Sequence, residues 1–299
     1  MTATIVITTR NRKQDLCRAL ESCLRQRGTL EVLVLDDGST DGTAAYVKRQ
    51  FPSVRLVRSE ESRGYIYARN QAARLAVGDV IISIDDDAEF SEPNIVETVL
   101  GELADPRIAA VAIPFIDVNV DKMLRQEAPD RNATWITNEF IGTAHAIRRD
   151  VFRKMGGYRE SLFHQGEEGD LCIRLLQQGW VVRLGASAPI LHYRSRIRSH
   201  ERINVFSQRN LILFAWHNIP MPEFFPHLVM TVFNGLRWGL RHGTFGFRLR
   251  GTGCGVLEIA REFSCRAPIS HGTYWLYRRL KKRGPMRFLD AEDVLTYRR

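Results

Sequence analysis

The chain holds few cysteines, and none of its five (Cys17, Cys23, Cys172, Cys254, Cys265) stands in a CxxC pair or at a zinc-binding spacing. That argues against a thiolate metal site and a disulfide framework, and fits a reducing compartment. No apolar run reaches the roughly 18 residues that a spanning helix needs. The N-terminus passes straight into Thr4-Ile5-Val6-Ile7-Thr8, without the apolar stretch of a secretory leader. The expectation is a cytoplasmic protein. There is no internal repeat, no low-complexity segment and no RNA- or DNA-binding motif, so a specific nucleic-acid partner is not expected.

What is present is a chain of 299 residues, enough for one large domain or two small ones. Hydrophobic content of 44% with 26% charged residues suits a globular chain. The net charge of +9 is uneven. Residues 1–192 carry 24 basic and 27 acidic side chains, a net of −3, whereas residues 193–299 carry 19 and 7, a net of +12. The candidate chemistry lies in the acidic part, and the basic part reads as an attachment surface.

The strongest local signal is Asp85-Asp86-Asp87, at the end of the apolar run Val80-Ile81-Ile82-Ser83-Ile84. The run reads as a buried parallel strand. Three adjacent carboxylates repel one another, and something must offset them. Alternation along a strand puts Asp85 and Asp87 on one side. Two carboxylates there suit Mg²⁺ or Mn²⁺ carrying a diphosphate, where a solvated acidic turn is the plainer alternative. A second strand, Glu31 to Leu35, also ends in carboxylates, Asp36-Asp37, followed by Gly38-Ser39-Thr40-Asp41. In open α/β sheets ligands bind outside the carboxyl ends of strands, so both ends point at one crevice.

Strand and helix alternate through the first half. Strand 4–8, helix 13–26, strand 31–35, helix 41–50, a short strand at 54–57, helix 66–76, the triple-aspartate strand, helix 92–103 and strand 108–113 follow in order. This βαβ succession predicts a mostly parallel sheet covered by helices. Residues 114–140 read as a mobile loop or a pair of edge strands. Order returns with strand 143–147, helices 150–155 and 167–178, and strands 180–184 and 190–193. From Ser199 onward the pattern is helical, broken at Pro220, Pro222 and Pro226, with a helix at 228–240 and late helices near 256–263 and 274–282. Phe and Trp mixed with Arg between Leu211 and Arg250 suit a helix at a membrane interface, or a capping subdomain with snorkelling arginines.

In this order the motifs resemble the family 2 glycosyltransferases, over roughly residues 3–193. Ile7-Thr8-Thr9-Arg10-Asn11-Arg12 is similar to the family's first strand and turn. Leu35 to Asp41 resembles its second-strand signature. Gly64, Ala68-Arg69-Asn70 and Gly78-Asp79 match the pattern ahead of the metal-binding strand, and Asp85-Asp86-Asp87 takes the Asp-x-Asp position. Gly156-Gly157-Tyr158 and Gly166-Glu167-Glu168-Gly169-Asp170-Leu171 with Arg174 resemble the catalytic segment.

The resemblance implies a GT-A fold, Rossmann-like, in residues 1–195, with a basic, mainly helical region in 196–299. It implies an inverting, metal-dependent transfer of a sugar from a nucleoside diphosphate sugar, with UDP or dTDP favoured, to a glycan or lipid-linked acceptor. Asp37 would face the pyrimidine, with Thr8, Arg10, Arg69, Asp85 and Asp86 also at the nucleotide sugar. Asp87 and Asp85 would hold Mn²⁺ or Mg²⁺, and His192 would complete that site or serve its strand structurally. Glu168 would be the general base, one methylene longer than the family's usual aspartate, with Asp170 or Glu167 as fallback. Bacterial polysaccharide, lipopolysaccharide or glycolipid assembly is the implied setting, with contact at the inner face of the membrane. A sugar nucleotidyltransferase is disfavoured, because the turn at residues 9–12 has no glycine. A non-catalytic binding module is the other alternative.

Overall fold

A computed structural model describes residues 1–194 and 199–295. The first half contains β1 (Ala3–Thr9), α1 (Lys13–Leu24), β2 (Thr29–Asp37), α2 (Thr43–Gln50), β3 (Arg55–Ser59), α3 (Tyr65–Leu75) and β4 (Val80–Ile84). Next come β5 (Ala88–Phe90), α4 (Ile95–Glu102), β6 (Ile108–Ala112), β7 (Phe115–Asp117), β8 (Leu124–Arg125), β9 (Trp135–Thr137), β10 (Ala144–Arg148), α5 (Arg149–Lys154), α6 (Glu167–Gln177), β11 (Val181–Leu184) and β12 (Ile190–His192). The chain continues through α7 (His200–Asn218), α8 (Phe224–Arg241), α9 (Phe245–Arg261), α10 (His271–Arg283) and β13 (Met286–Arg287).

The main sheet has nine strands in the order β13-β9-β11-β6-β10-β4-β1-β2-β3. Only β10 and β9 run against the rest, so the sheet is mainly parallel. Side-chain alternation divides the core between its two faces: Ile5, Ile7, Val34 and Ile82 pack with Leu16 and Leu20 of α1, whereas Val6, Leu33, Leu35 and Ile81 pack with Ala68 and Ala72 of α3. β4 is buried along its whole length, as its unbroken apolar run predicts.

A second, four-stranded sheet has the order β5-β12-β7-β8. Its register sets His192 beside Asp117 and Ala88. Residues 114–140 are thus shared between the sheets: β7 and β8 pair with each other, and β9 joins the main sheet.

Two helical expectations change. Pro226 does not break a helix; it lies in the first turn of α8, where a missing N–H costs nothing because no intrahelical acceptor exists there. α9 is one continuous helix from Phe245, although Gly251, Gly253 and Gly255 lower its helix propensity. The glycines serve packing: a Cβ at Gly251 or Gly255 would press into Val205 or Ile212 of α7. The C-terminal region also returns to the sheet, where Met286 and Arg287 of β13 pair with Ile136 and Trp135 of β9.

Candidate active site

The carboxyl ends of β1, β2 and β4 open onto a crevice of about 1180 Å³. Thr8, Arg10, Asp37, Arg69, Asp85, Asp86, Asp87, Glu168 and His192 all line it, whereas Asp170 and the other fallback base, Glu167, do not.

The aspartate triplet sits just past β4, in a turn closed by Ala88 N–H donating to the Asp85 carbonyl at 3.1 Å. Asp85, Asp87 and His192 each present a ligand atom within 4.8 Å of the others, the one such cluster found among the described residues. His192 Nε2 is buried, 3.2 Å from Asp87 Oδ1 and 4.0 Å from Asp85 Oδ2, and makes no well-formed hydrogen bond. Its Nδ1 faces Asp117 Oδ1 at 2.5 Å, which fixes the ring and leaves Nε2 turned to the two carboxylates. Two carboxylates with one oriented imidazole fit a divalent cation of the Mn²⁺ or Mg²⁺ type.

Cationic side chains offset the triplet's charge. Arg12 Nη1 donates to Asp87 Oδ2 at 2.7 Å and to Asp86 Oδ1 at 3.1 Å, and Thr9 Oγ1 donates to Asp86 Oδ2 at 2.7 Å. Burial pushes Asp86 up to about 7, with Asp87 adding to the shift and Arg12 opposing it. Asp87 is also buried, yet His192 and Arg12 outweigh that and hold it down to about 2. Burial would lower His192, but its carboxylate neighbours, Asp87 first, raise it.

Arg69 links this turn to the start of α6. Its guanidinium is buried, with Nη2 at 2.7 Å from Asp85 Oδ1 and Nη1 at 3.1 Å from Glu167 and 3.4 Å from Glu168. Arg69 thus makes three carboxylate contacts while it also lines the crevice. Glu167 is fully buried, and Tyr65 OH also donates to it at 3.2 Å. Glu168 keeps about a fifth of its side chain exposed. Burial, and then the charge of Glu167, raise its pKa well above the usual carboxylate range, with Arg69 opposing. The crowding requires a glycine at 142, where a Cβ would collide with Glu168 Oε1 and Arg69 Nη1.

Asp170 is elsewhere. Its carboxylate is 1% exposed and accepts from Arg159, Arg174 and Asn218 at 2.9–3.1 Å. It ties α6 to α7 and does not line the crevice, so the catalytic role proposed for it has no access to substrate. Asp37 lines the crevice but also builds its wall: Oδ1 accepts from Arg63 N–H, and Oδ2 from Ser62 Oγ and Gly64 N–H, at 2.6–3.1 Å. Asp36 is fully buried and turns the chain, accepting from Ser39 N–H at 2.8 Å.

Sequence reading missed Arg12, Asp117 and Gly142. Arg12 lay inside the first-strand motif without a role. Asp117 has no local signature, because its partnership with His192 exists only through the β7–β12 pairing.

A family model described as Glycosyl transferase family 2 matches residues 4–156, and the chain belongs to that family. It is 28% identical over 215 residues to a pre-mycofactocin glycosyltransferase of Mycobacterium tuberculosis, covering 65% of this chain and 43% of that protein. It is 26% identical over 211 residues to the N-acetylglucosaminyl-diphospho-decaprenol L-rhamnosyltransferase of the same organism, covering 56% of this chain and 67% of the relative. The chain thus spans less than half the length of the first of these relatives. Among solved structures it resembles the mannosyltransferase PcManGT of Pyrobaculum calidifontis in complex with GDP-Man and Mn²⁺, with TM-score 0.61 and 20% identity over 92% of this chain and 78% of that one. GalNAc-T7 with UDP, GalNAc and Mn²⁺ gives TM-score 0.60 and 19% identity over 88% of this chain and 57% of the other. The fold is that of the GT-A glycosyltransferases.

Proposed function

We propose that this chain is an inverting glycosyltransferase that moves a sugar from a nucleoside diphosphate sugar to an acceptor hydroxyl. The observation that carries the reading is the placement of Glu168. It lines the large crevice with the aspartate turn, and it also lines a smaller pocket of about 270 Å³. The donor occupies the crevice, and the acceptor hydroxyl enters from the smaller pocket, whose wall includes Phe140, Leu211 and Tyr277. A carboxylate between the two is placed to receive the proton of the attacking hydroxyl.

Asp85, Asp87 and His192 would hold a divalent cation, Mn²⁺ or Mg²⁺. Bound there, the cation offsets charge on the donor's diphosphate. The chain's own groups do the rest. Among the described residues Asp37 Oδ1 accepts one hydrogen bond, which leaves it able to accept a base N3–H and supports UDP or dTDP. Arg10 also lines the crevice, and we assign it to the nucleotide sugar. Arg69 holds Glu168 and Asp85 in one frame. Glu168 takes the acceptor proton as the acceptor oxygen bonds to the anomeric carbon, and the nucleoside diphosphate leaves with the electron pair of the broken bond. One displacement inverts that carbon.

Residues 1–195 form the catalytic domain and 196–299 a helical region that completes the crevice wall, since Arg202, Ile203 and Ser207 line it too. Glycan or lipid-linked acceptors are supported by relatives named for glycan assembly, among them the decaprenol-linked rhamnosyltransferase and the Rhizobium meliloti succinoglycan biosynthesis protein ExoO. Calorimetry of UDP, dTDP and GDP with Mn²⁺, with Mg²⁺ and with EDTA tests the donor side. Tighter binding of a uracil or thymine nucleotide with metal is expected. Equal affinity in EDTA would remove the metal, and preference for GDP would remove the role given to Asp37.

A further inference from the structure

α8 and α9 have their apolar faces turned outward. α8 buries Gly235 and Gly239 and leaves Phe225, Val229, Phe233 and Leu240 each more than half exposed. α9 buries Gly251 and Gly255 and leaves Leu249, Val256 and Leu257 more than half exposed. A helix against water normally shows the reverse. The arrangement is not a loosely seated end. The glycines let α8 and α9 lie close on α7, and a Cβ at Gly235 would collide with the Gln208 side chain. The four apolar side chains of α8 fall within one quadrant of the helix at 100° per residue, so they form a row. An exposed apolar row of this size marks an interaction surface.

Charge says what covers it. Between Phe224 and Arg261 the chain has five arginines and one acidic residue, Glu258. Glu258 is already paired with Arg209 and Arg261. Arg248 is tied to Asn204 and Ser207, and Arg250 to Glu201. Arg237 and Arg241, four residues apart, are exposed beside the apolar row with no ion-pair partner among the described residues. The occupant must accept hydrocarbon in the middle and supply anions at the edge. A second copy of this face would bring arginine against arginine. No helix among the described residues is long and apolar enough to cross a membrane, so the face would lie on one.

We infer that the outward face of α8 and α9 docks on an anionic lipid surface, with Phe225, Phe233 and Leu257 among the acyl chains and Arg237 and Arg241 at the headgroup phosphates. The inference rests on the proposed transferase reading only for its purpose. α7 lines the crevice with one face and packs on α8 and α9 with another, so the lipid surface stands about one helix spacing, on the order of 10 Å, behind the crevice wall. A glycan carried on a lipid phosphate would be presented at that distance.

Flotation of the full chain with vesicles of phosphatidylglycerol and phosphatidylcholine in equal parts, at low salt, is the test. Wild type should float with them, release as salt rises, and stay behind with phosphatidylcholine alone. Arg237→Gln with Arg241→Gln should lower the partition about 25-fold, at about fivefold per basic residue. Phe233→Ser with Leu257→Ser should abolish flotation; both positions are exposed, and unchanged melting and nucleotide affinity would confirm the fold. Wild type remaining in the soluble fraction would overturn the inference. So would a vesicle-free dimer that Phe233→Ser dissociates. Nucleotide-sugar hydrolysis in free solution reports separately on the transferase reading, whatever the vesicles do.

Discussion

Two strands of the main sheet end in adjacent carboxylates, and the two ends are satisfied by different kinds of donor. At the end of β2, Asp36 and Asp37 accept mainly from backbone N–H groups and a serine hydroxyl, with a cation, Arg58, more distant at 3.8 Å from Asp36. At the end of β4, Asp85, Asp86 and Asp87 meet Arg69, Arg12, Thr9 and His192. Backbone donors cannot leave without unfolding the loop they belong to. Side-chain cations can be exchanged for another cation. The β2 end is finished architecture that a ligand reads, whereas the β4 end is a charge cluster whose partners are replaceable. Acidic motifs that look alike in sequence therefore differ by who supplies the positive charge.

The sharpest test extends the comparison to α6, where Glu168 faces the crevice and Asp170 faces its own arginines. Glu168→Gln should cut turnover about 10²-fold or more, with donor affinity and melting temperature little changed. Asp170→Asn should do the opposite, losing on the order of 3 kcal/mol of stability because Arg159 and Arg174 are left facing a neutral group. If Asp170→Asn stops turnover in a protein of unchanged stability, the assignment of the base fails. Turnover should also rise with pH through an apparent pKa above the usual carboxylate range, since Glu168 must be ionised to accept a proton and its burial beside Glu167 raises that pKa. An acid limb at an ordinary carboxylate value would point to another base.

The second test compares the strand ends directly. Asp87→Asn should remove the gain in nucleotide affinity given by Mn²⁺, by calorimetry, while the protein melts near wild type. Asp36→Ala should lower stability by about 1–3 kcal/mol through the unpaired Ser39 N–H. If both variants lose stability alike, the β4 end is architecture too.

The βα alternation, the buried β4 run and both acidic strand ends were legible in sequence because each is local: a period, a run or adjacent residues. Thr8, Asp37, Asp85 and Glu168, which line the crevice, stand in those local patterns. Their partners were not legible, since they arrive from far along the chain. Arg12 reaches Asp87 across 75 positions, and Asp117 meets His192 across the same separation. Asp170 misled because a helix's first turn favours carboxylates whatever their role, and the motif could not tell the one facing the crevice from the one facing Arg174. The expected late helix near 256–263 is longer, because the glycines before it pack against α7, a contact that no local pattern shows.

A third test concerns Gly142. Alanine there would push Glu168 or Arg69 aside, so turnover should fall by about tenfold, at roughly 1.4 kcal/mol of lost positioning, with metal-dependent nucleotide affinity kept. Unchanged turnover would mean that the pair tolerates displacement.

A last test concerns stability against pH. His145 is buried, stacked on Phe140, with Tyr158 OH at 2.9 Å from its Nε2, and burial with the charge of Arg69 lowers its pKa to about 3. His227 is lowered to about 4 by burial and nearby basic groups. Both stay neutral in the folded chain, while in the unfolded chain they titrate near 6.5. Their contribution is therefore full above 6.5 and is lost progressively as pH falls toward 3. His145→Gln should flatten part of that decline in a series of thermal melts, and an unchanged slope would assign the decline to other groups.

The short pairing of β13 with β9 has a consequence for how the chain could be cut. Strand β9 is an outer strand of the main sheet with β11 on one side, and β13 covers the other. Trimming the chain before Met286 would leave the backbone groups of Trp135 and Ile136 without their neighbour. An uncovered strand invites pairing between molecules. A chain trimmed there should therefore aggregate even though every crevice-lining residue is kept, and chain length would govern solubility apart from chemistry.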